Sequence, residues 1–412
     1  MRWFLLSVPL LSLLWTGDVK AEEPLRLEEV IEEALKNNPE ILAIQEQIRV
    51  AEECIPQAKA LPDPQVGAMF NGIPGRMKPD TRYDQIRITA SQMFPLFGKL
   101  GLKAEAAAKG VKMARATYEA KRREIIAQVK SAYYELSLSH KAIEITRENA
   151  ELMRTFSKIT ETRYAVGKAP QQNVLKAQVS LSVLLNQRIT LKQKLETARA
   201  RLNVLLNRPP EAPLGAPGEV RGIPLNRSLE ELEALALEQR PELQAMAYGI
   251  EQKEVLRDLA RKQYYPNLMA GVQYWQNNER KDQMSMMLSI NIPLWWRSKQ
   301  DHGVKQAAAS VQAAKANYEA MKNRVLFQIQ DRLVNIQTAE RMINLYETSI
   351  LPQAEQALKA ARIGYKTDKV DFLTLVDSQK QLYTLRLEYY KANVEHEQQV
   401  AQLERAVGVD LR

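Results

Sequence analysis

The chain has 412 residues, of which 45% are hydrophobic and 26% charged, and its formal net charge is +9. The charge is spread over helical segments of mixed sign, with no basic block alternating with aromatic residues, so nucleic-acid binding is not indicated. The sequence also has no glycine-rich phosphate loop, no nucleophile elbow and no spaced His, Cys and carboxylate cluster, so it predicts neither an enzyme nor a cofactor site.

The first predicted element is a signal peptide over residues 1–21. Arg2 precedes an apolar run from Trp3 to Trp15, and cleavage is expected after Ala21. The run is too short for a membrane helix, which needs about 20 apolar residues, and no later stretch reaches that length. Cys54 is the single cysteine, so no internal disulfide can form. We therefore expect an exported protein without a helical membrane span.

The rest of the chain consists of one unit that occurs twice. Residues 207–227 contain five prolines and three glycines, which indicates a linker between the two copies. We therefore predict a first structural repeat over 22–206 and a second over 228–412, which suits a pseudo-symmetric protomer better than a solenoid. The matching segments include NNPE at 37–40 with QRPE at 239–242, ATYEA at 116–120 with ANYEA at 316–320, and YAVGKAPQQNVLKAQ at 164–178 with YKTDKVDFLTLVDSQ at 365–379.

Each repeat begins with a predicted helix and continues with a predicted β-hairpin. The helices run from about Leu27 to Ala60 and from about Leu229 to Gln263, where Ser228 can act as the N-cap. Two short segments of alternating apolar and polar residues follow each helix and predict hairpins at about 64–94 and 266–293. The hairpin loops are expected near Asn71 to Arg82 and Asn277 to Gln283.

The predicted strands have one apolar and one polar face. A two-stranded sheet is marginal in water, and four strands do not close a barrel. Strands from several chains could close one in the outer membrane, with the apolar face outward. A soluble sheet packed on a helix is the alternative interpretation of any single strand. In the last strand the apolar positions are Met284, Met286, Leu288, Ile290 and Ile292, and the alternating positions are Ser285, Met287, Ser289 and Asn291.

Each hairpin ends in a proline with aromatic neighbours, in QMFPLFGK at 92–99 and NIPLWWRSK at 291–299. Proline lacks the amide that would continue a strand ladder, and it suits a strand end or a first helical turn. Aromatic rings favour the membrane interface, so these junctions should lie at the periplasmic rim of the barrel. A buried soluble core could also take the rings. The junction residues are Phe94, Pro95, Phe97, Pro293, Trp295 and Trp296.

Each junction leads into a long predicted helix and a returning helix. At about 1.5 Å per residue, a helix of about 66 residues spans roughly 100 Å. Its apolar residues follow the 3.5-residue spacing of a coiled coil, so each repeat should contain a long antiparallel helical hairpin. The long helices run from about Leu100 to Ala165 and Lys299 to Lys366, and the returning helices from about Pro170 to Leu206 and Val370 to Val407. The seam residues are Ile125, Val129, Ala132, Leu136 and Ile143, and Val325, Ile329, Ile336, Ala339, Ile343 and Ile350.

The doubled plan, the two Pro-Leu-aromatic junctions and the segments RYAVGKAPQQNVLKAQ and YKTDKVDFLTLVDSQ resemble the TolC-like outer-membrane efflux proteins. The resemblance covers essentially the whole mature chain. It implies a mainly α-helical homotrimer whose chains contribute four strands each to one transmembrane β-barrel, continued by a periplasmic α-barrel of coiled-coil helices. It also implies a passive conduit that docks on a periplasmic adaptor and an inner-membrane pump. The alternative is a periplasmic coiled-coil adaptor or scaffold, which would not need four amphipathic strands.

The resemblance also implies that the ends of the two helical hairpins dock on the adaptor. Arg163, Gly167 and Lys168 match the family pattern, in which the glycine suits a turn that ends a long helix. In the second repeat Asp368 occupies the glycine position and Lys369 follows it. An Asp can also accept a left-handed backbone.

Proteins of this family often narrow the tunnel with aspartate rings shortly after the turn. Asp377 falls on one such position, Thr374 occupies the other, and Asp371 is an additional carboxylate nearby. Three copies of Asp377 close together would favour cations. An exposed helix carboxylate without such a role is the alternative.

No metal or cofactor site is predicted. Met284 and Met286 share one side of a strand and Met287 lies on the other, so a common thioether site for copper is not expected. The histidines have no ligand spacing and are interpreted as polar helix residues: His140, His302 and His396.

The segments LPDPQVGAMF and FPLFGK are similar to the heavy-metal-efflux branch of the family, which contains CusC- and CzcC-like proteins. Metal cations are therefore one expected cargo. Drugs, dyes or detergents, and proteins exported by type I secretion, stay open because the same conduit serves them.

Overall fold

The protein is mainly helical with one small sheet, as seen in a computed structural model that describes residues 24–71, 85–277 and 281–412. The predicted signal peptide and the central parts of both hairpin loops lie outside the described residues. The elements are α1 Leu27–Asn37, α2 Pro39–Lys59, β1 Gln65–Asn71, β2 Gln85–Phe94, α3 Lys99–Ala165, α4 Gln171–Leu205, α5 Leu229–Gln239, α6 Pro241–Lys262, β3 Leu268–Asn277, β4 Gln283–Ile290, α7 Gln300–Leu345, a π-helical turn Tyr346–Ile350, α8 Leu351–Lys366 and α9 Phe372–Val407.

Each repeat opens with two helices, so the predictions of a single helix over about Leu27 to Ala60 and over about Leu229 to Gln263 are wrong. Asn38 and Arg240 have extended ψ angles of 124° and 118°. The ring of a following proline disfavours a helical backbone at the residue before it, and Pro39 and Pro241 follow these two residues. The side chains at the breaks make equivalent contacts, because Asn38 donates to Leu205 O at 2.9 Å and Arg240 donates to Ala406 O at 3.0 Å.

The two repeats build matching hydrophobic cores, so most of the predicted seam is confirmed. Ile143 and Ile350 are only half-buried. A third core joins both repeats at the far end of the helical hairpins and includes Phe156, Leu184, Leu358, Phe372 and Tyr383. The first core contains Val30, Ala34, Ile125, Val129, Ala132, Leu136, Ala198, Leu202 and Leu206, and the second contains Leu232, Ala236, Val325, Ile329, Leu333, Ile336, Val400, Leu403 and Val407.

The long helices lie side by side in one layer. The 67 residues of α3 span about 100 Å at about 1.5 Å per residue. Next to the sheet, neighbours along the layer follow the order α2, α3, α6 and α7. At the opposite end the order is α4, α3, α9 and α8. Within one chain, α2 and α4 therefore form one edge of the layer, and α7 and α8 form the other.

The long helix of the second repeat contains a π-helical turn at Tyr346–Ile350, which the prediction of one regular helix missed. Pro352 follows two residues after the end of this turn. A proline inside a helix removes one backbone hydrogen bond and its ring crowds the preceding turn. The wider π turn accommodates the proline and lets the helical path continue into α8.

The four strands form one antiparallel sheet in the order β1-β2-β3-β4. Residues that face one another across the strands lie on the same side of a sheet. The apolar face of the sheet therefore continues across both hairpins. Within one chain, β1 and β4 are the edge strands of the sheet. One apolar row contains Val66, Ala90, Val272 and Met286, and the next row contains Gly67, Thr89, Gln273 and Ser285.

Both proline junctions lie between a strand and a long helix. Pro95 directly follows β2, and Pro293 lies in the connection after β4. The rings of Phe97, Trp295 and Trp296 are exposed in the single chain, Trp295 to 77%, whereas Phe94 is half-buried.

Lys99, the last residue of the first junction, is buried. Its Nζ donates to Tyr265 O at 2.7 Å and to Asn267 Oδ1 at 2.6 Å. The lysine thereby ties the start of α3 to the segment that leads into β3. The equivalent Lys299 is exposed, so this contact belongs to the first junction alone.

The linker at 207–227 crosses the helical layer near the middle. Ser137 of α3 donates to Gly218 O at 3.0 Å. Further along, Gly222 N donates to Asn393 Oδ1 of α9 at 2.9 Å, and Leu225 N donates to Glu340 Oε1 of α7 at 2.9 Å. The linker is therefore bound to helices of both repeats.

Candidate docking tips and tunnel aperture

The first hairpin tip is the turn between α3 and α4. Gly167 has a φ of 73°, in the left-handed region that favours glycine. Its N–H donates to Tyr164 O at 2.9 Å, and the N–H of Lys168 donates to Arg163 O at 2.8 Å. This pair of bonds is the Schellman motif, which satisfies the last carbonyls of a helix. The prediction that the glycine ends the long helix is confirmed.

The second tip also has a left-handed residue at its centre, but this residue is an aspartate. Asp368 has a φ of 56°, which confirms the predicted left-handed conformation. The N–H of Lys369 donates to Gly364 O at 2.8 Å. A β carbon at Gly364 would lie 2.5 Å from Val370 Cγ2, so a glycine is needed for this close approach. Gly364 did not figure in the sequence prediction, although a glycine so near a helix end was a visible signal.

A charged contact joins the two tips within one chain. Arg163 Nη1 lies 2.6 Å from Asp368 Oδ1, and Nη2 donates to Lys366 O at 3.3 Å. The guanidinium also lies 4.5 Å from the centre of the Tyr365 ring, which is buried against Phe372. The sequence patterns placed Arg163 and Asp368 at the tips but did not pair them, because the contact spans two distant segments of the chain.

Asp371 has a structural role that the sequence patterns did not assign. It is the N-cap of α9, and its Oδ1 accepts the N–H of Thr374 at 3.0 Å. Hydrogen bonds from the hydroxyl and the amide of Thr374 hold the pKa of Asp371 below its usual value. The carboxylate of Asp371 is thus engaged at the start of the helix.

Thr374 and Asp377 lie on the first two turns of α9, and both are exposed in the single chain. Residues three apart on a helix are neighbours on its surface, so the two side chains share one side of α9. The other side buries Phe372, Leu375 and Val376 in the core that joins the repeats. That packing fixes which side of α9 faces away from the protein interior.

The structure keeps the three histidines apart, on α3, α7 and α9. Burial lowers the pKa of His140. Within residues 24–71, 85–277 and 281–412, no group of three or more His, Cys, Asp and Glu side chains could hold a metal ion.

Over the same ranges, no helix combines the length and the apolar character needed to cross a membrane.

The model of the outer membrane efflux protein family matches residues 30–208 and 232–409. The two matched segments correspond to the two structural repeats and leave out most of the linker. The chain belongs to the outer membrane efflux protein family. Channels of this family are homotrimers of the outer membrane with a large periplasmic part, and they interact with periplasmic adaptors and inner-membrane pumps.

Individual relatives agree with this assignment. The chain is 24% identical over 394 residues to the cobalt-zinc-cadmium resistance protein CzcC of Cupriavidus metallidurans, covering 94% of this chain and 91% of CzcC. A solved structure of CusC matches with a TM-score of 0.80 at 18% identity and covers 94% of this chain and 93% of CusC. The outer membrane protein VceC of Vibrio cholerae matches with a TM-score of 0.78 at 20% identity, covering 94% and 97%.

Membership of the family confirms the predicted resemblance, fold class and outer-membrane location. The four strands are this chain's share of a trimeric transmembrane barrel, and the long helices are its share of the periplasmic tunnel. The chain is an outer-membrane efflux channel, so the alternative of a periplasmic adaptor or scaffold is set aside.

Proposed function

We propose that the chain is the passive conduit through which a heavy-metal efflux system expels divalent cations across the outer membrane. The observation that carries this proposal is the relationship to a cobalt-zinc-cadmium resistance protein along 94% of the chain. The inner-membrane pump supplies the energy in this proposal, and the channel itself performs no chemical reaction.

Complementation of a deletion strain tests the cargo. The host has a cobalt-zinc-cadmium pump and its adaptor but lacks the outer-membrane channel. The chain is expected to restore growth on cobalt, zinc and cadmium salts. A second host, which lacks the channel of a multidrug pump, serves as the control. Restored drug resistance without restored metal resistance would overturn the proposal of a metal cargo.

The aperture of the conduit is proposed to lie at Asp377 and Thr374 of α9. Their exposure beside the tip turn supports this position, because a trimer would bring three copies of each near one axis. A ring of three carboxylates attracts cations through short-range electrostatics in a narrow, poorly hydrated space. Asp371 contributes to the aperture mainly by capping α9, which fixes the direction in which Thr374 and Asp377 point.

Asp377→Ala is expected to weaken the block of the channel by divalent cations. The substitution removes three negative charges from the proposed ring, and a loss of about tenfold in blocking affinity corresponds to about 1.4 kcal/mol. Single-channel recordings of purified trimers in planar bilayers measure both conductance and block. Glu388→Ala is the matched control, because Glu388 is an exposed carboxylate on the same helix, far from the tip. Equal block of wild-type and Asp377→Ala channels would remove Asp377 from the aperture.

The adaptor is proposed to dock on the two tips, with Arg163, Gly167 and Lys168 on the first and Asp368 and Lys369 on the second. The tips support this role because they are the exposed ends of the longest elements of the chain. The first turn is fixed by the Schellman pair of bonds and the second by the bond from Lys369 N to Gly364 O, and the ion pair between Arg163 and Asp368 holds the two turns together. A docking partner would therefore meet a surface of defined shape.

Gly167→Pro is expected to weaken adaptor docking by about tenfold or more while trimers still assemble. Proline fixes φ near −65°, which is incompatible with the observed 73°, and it removes the N–H that binds Tyr164 O. The measurement is adaptor binding to purified trimers by surface plasmon resonance.

Gly167→Asn is the matched control for this change. Asn tolerates the left-handed region and keeps the backbone N–H, so docking should be retained. Normal docking by Gly167→Pro would show that the turn takes no part in adaptor binding.

A further inference from the structure

The two tips carry a large share of the positive charge of the chain. Residues 158–176, centred on Gly167, contain four Lys or Arg and one Glu, and residues 359–377, centred on Asp368, contain four Lys or Arg and three Asp. Eight cationic groups against four carboxylates leave a net charge of +4 on these 38 residues, compared with +9 for all 412. A homotrimer brings three such ends together, which triples this charge at one end of the tunnel.

The carboxylates of the tips are already engaged or lie toward the proposed aperture. Asp368 binds Arg163, Asp371 caps α9, and Glu161 accepts the hydroxyl of Ser157 at 3.0 Å. Asp377 is the residue assigned to the aperture. The hydrogen-bond partners of Asp368, Asp371 and Glu161 are therefore groups other than the lysines that surround the two turns.

The lysines at the turns have no such partners. In the part of the chain that the structure describes, no carboxylate lies within 4.0 Å of the Nζ of Lys158, Lys168, Lys366 or Lys369, and these side chains are exposed. Lys168 and Lys369 occupy equivalent positions, each directly after the left-handed residue of its turn. Each turn thus places one exposed cation directly after its left-handed residue.

We infer that the adaptor segment that docks on the tips carries a cluster of carboxylates, which pair with Lys168 and Lys369. This inference rests on the proposed docking role of the tips and adds the chemistry of the partner. Opposite charges on two surfaces accelerate their encounter and favour one alignment, and both effects weaken as salt screens the charges over about 8 Å at physiological ionic strength.

The test measures binding between purified trimers and the adaptor with which the channel restores efflux. Affinity of the wild-type trimer should fall about tenfold or more as sodium chloride rises from low to high concentration. Lys168→Glu/Lys369→Glu should lose at least about as much affinity at low salt, and its affinity should no longer fall as salt rises, because salt screens the new repulsion between like charges. Lys36→Glu/Lys253→Glu makes the same change in net charge at exposed lysines away from the tips, and it should bind normally.

A charge exchange makes the test specific. Reversing acidic residues at the end of the adaptor hairpin to Lys should restore binding to Lys168→Glu/Lys369→Glu trimers. The inference would be overturned if adaptor affinity changed neither with salt concentration nor with substitution of Lys168 and Lys369. It would also be overturned if the tips bound anionic phosphatidylglycerol vesicles in place of the adaptor. The proposed docking role of the tips has its own test, because it would be refuted if Gly167→Pro trimers bound the adaptor normally.

Discussion

Phe327→Asp is expected to prevent assembly of the trimer. Phe327 lies on α7, and its ring is 69% exposed in the single chain, although the neighbouring Val325 and Ile329 are fully buried. An exposed ring at the middle of a long helix indicates an interface that the single chain does not contain. In a homotrimer, the surface that covers this ring belongs to another copy of the chain.

The helix order identifies that surface. The layer of one chain ends at α2 and α4 on one edge and at α7 and α8 on the other. A ring of three copies closes when each α7 edge packs on the α2 and α4 edge of the next copy, which is a head-to-tail contact. Both edges carry exposed apolar stripes, with Val334, Met342 and Leu345 beside Phe327 on α7, and Leu175, Val179, Val183 and Ile189 on α4.

The expected effect is large because a ring of three repeats each contact three times. Burying an aromatic side chain contributes about 2 kcal/mol, so the three interfaces between chains together lose about 6 kcal/mol when the rings are removed. A carboxylate placed in each interface adds a desolvation cost of several kcal/mol. Native electrophoresis of detergent-extracted outer membranes should show the loss of the trimer band.

Asn335→Asp is the matched control, because it adds the same charge at an exposed polar position of the same helix. Phe327→Leu should also assemble, since it keeps an apolar side chain in the interface between chains. A stable Phe327→Asp trimer would contradict the placement of this face of α7 between copies.

The doubled architecture could be predicted from the sequence because its signals are local or periodic. Seam residues such as Ile125 and Val325 repeat at helical spacing, and Gly167 marks its turn by residue type alone. The break at Asn38 was also signalled locally, by Pro39, but the surrounding helical pattern outweighed the proline in the prediction. What the sequence alone does not show is that the break lets the side chain of Asn38 donate to Leu205 O at the end of α4.

The remaining features depend on contacts between distant segments. The burial of Lys99 depends on the approach of Tyr265 and Asn267, which lie more than 160 residues further along the chain. The pairing of Arg163 with Asp368 likewise needs both hairpins in place. His396 was interpreted as a polar helix residue, yet it is fully buried between two carboxylates. No periodic pattern reveals such a contact, because its partners come from other elements of the chain.

The linker clamp is defined as His396, Glu397, Glu340 and Arg412. Nδ1 of His396 lies 3.1 Å from Glu397 Oε1, and Nε2 lies 3.3 Å from Glu340 Oε1. Both ring nitrogens of His396 therefore face carboxylate oxygens, which are hydrogen-bond acceptors. Arg412 Nη1 lies 2.5 Å from Glu397 Oε2. The clamp thus brings the buried imidazole of His396, two carboxylates and the guanidinium of Arg412 together in a largely buried position.

The clamp binds the linker to the helices. Ile223 N donates to Glu397 Oε1 at 3.2 Å, and Leu225 N donates to Glu340 Oε1 at 2.9 Å. Arg412 also donates to Ile223 O. Removing Glu397 would leave the amide of Ile223, the imidazole of His396 and the guanidinium of Arg412 without this acceptor. Loss of one partner from a buried ion pair costs about 3–5 kcal/mol.

The pH dependence of this stabilisation follows from Glu397. Burial acts to raise the pKa of Glu397, but hydrogen bonds from His396 and Arg412 outweigh it and leave the pKa below its usual value. A carboxyl group with a lowered folded-state pKa stabilises the fold above its unfolded-state pKa, about 4.3 for Glu. That contribution is complete at pH 7 and is lost as the pH falls through the folded-state pKa.

Glu397→Gln is therefore expected to lower the thermal stability of the trimer strongly at pH 7 and to expose the linker to trypsin at Arg221 and Arg227. As the pH falls below about 4, the difference between this variant and the wild type should shrink, because the wild-type carboxyl group is then also neutral. Glu395→Gln is the matched control, since Glu395 is exposed on the same helix and should leave both measurements unchanged. A difference in stability that did not shrink as the pH fell well below about 4 would show that the charge of Glu397 does not hold the linker. Its side chain would then act only by filling space.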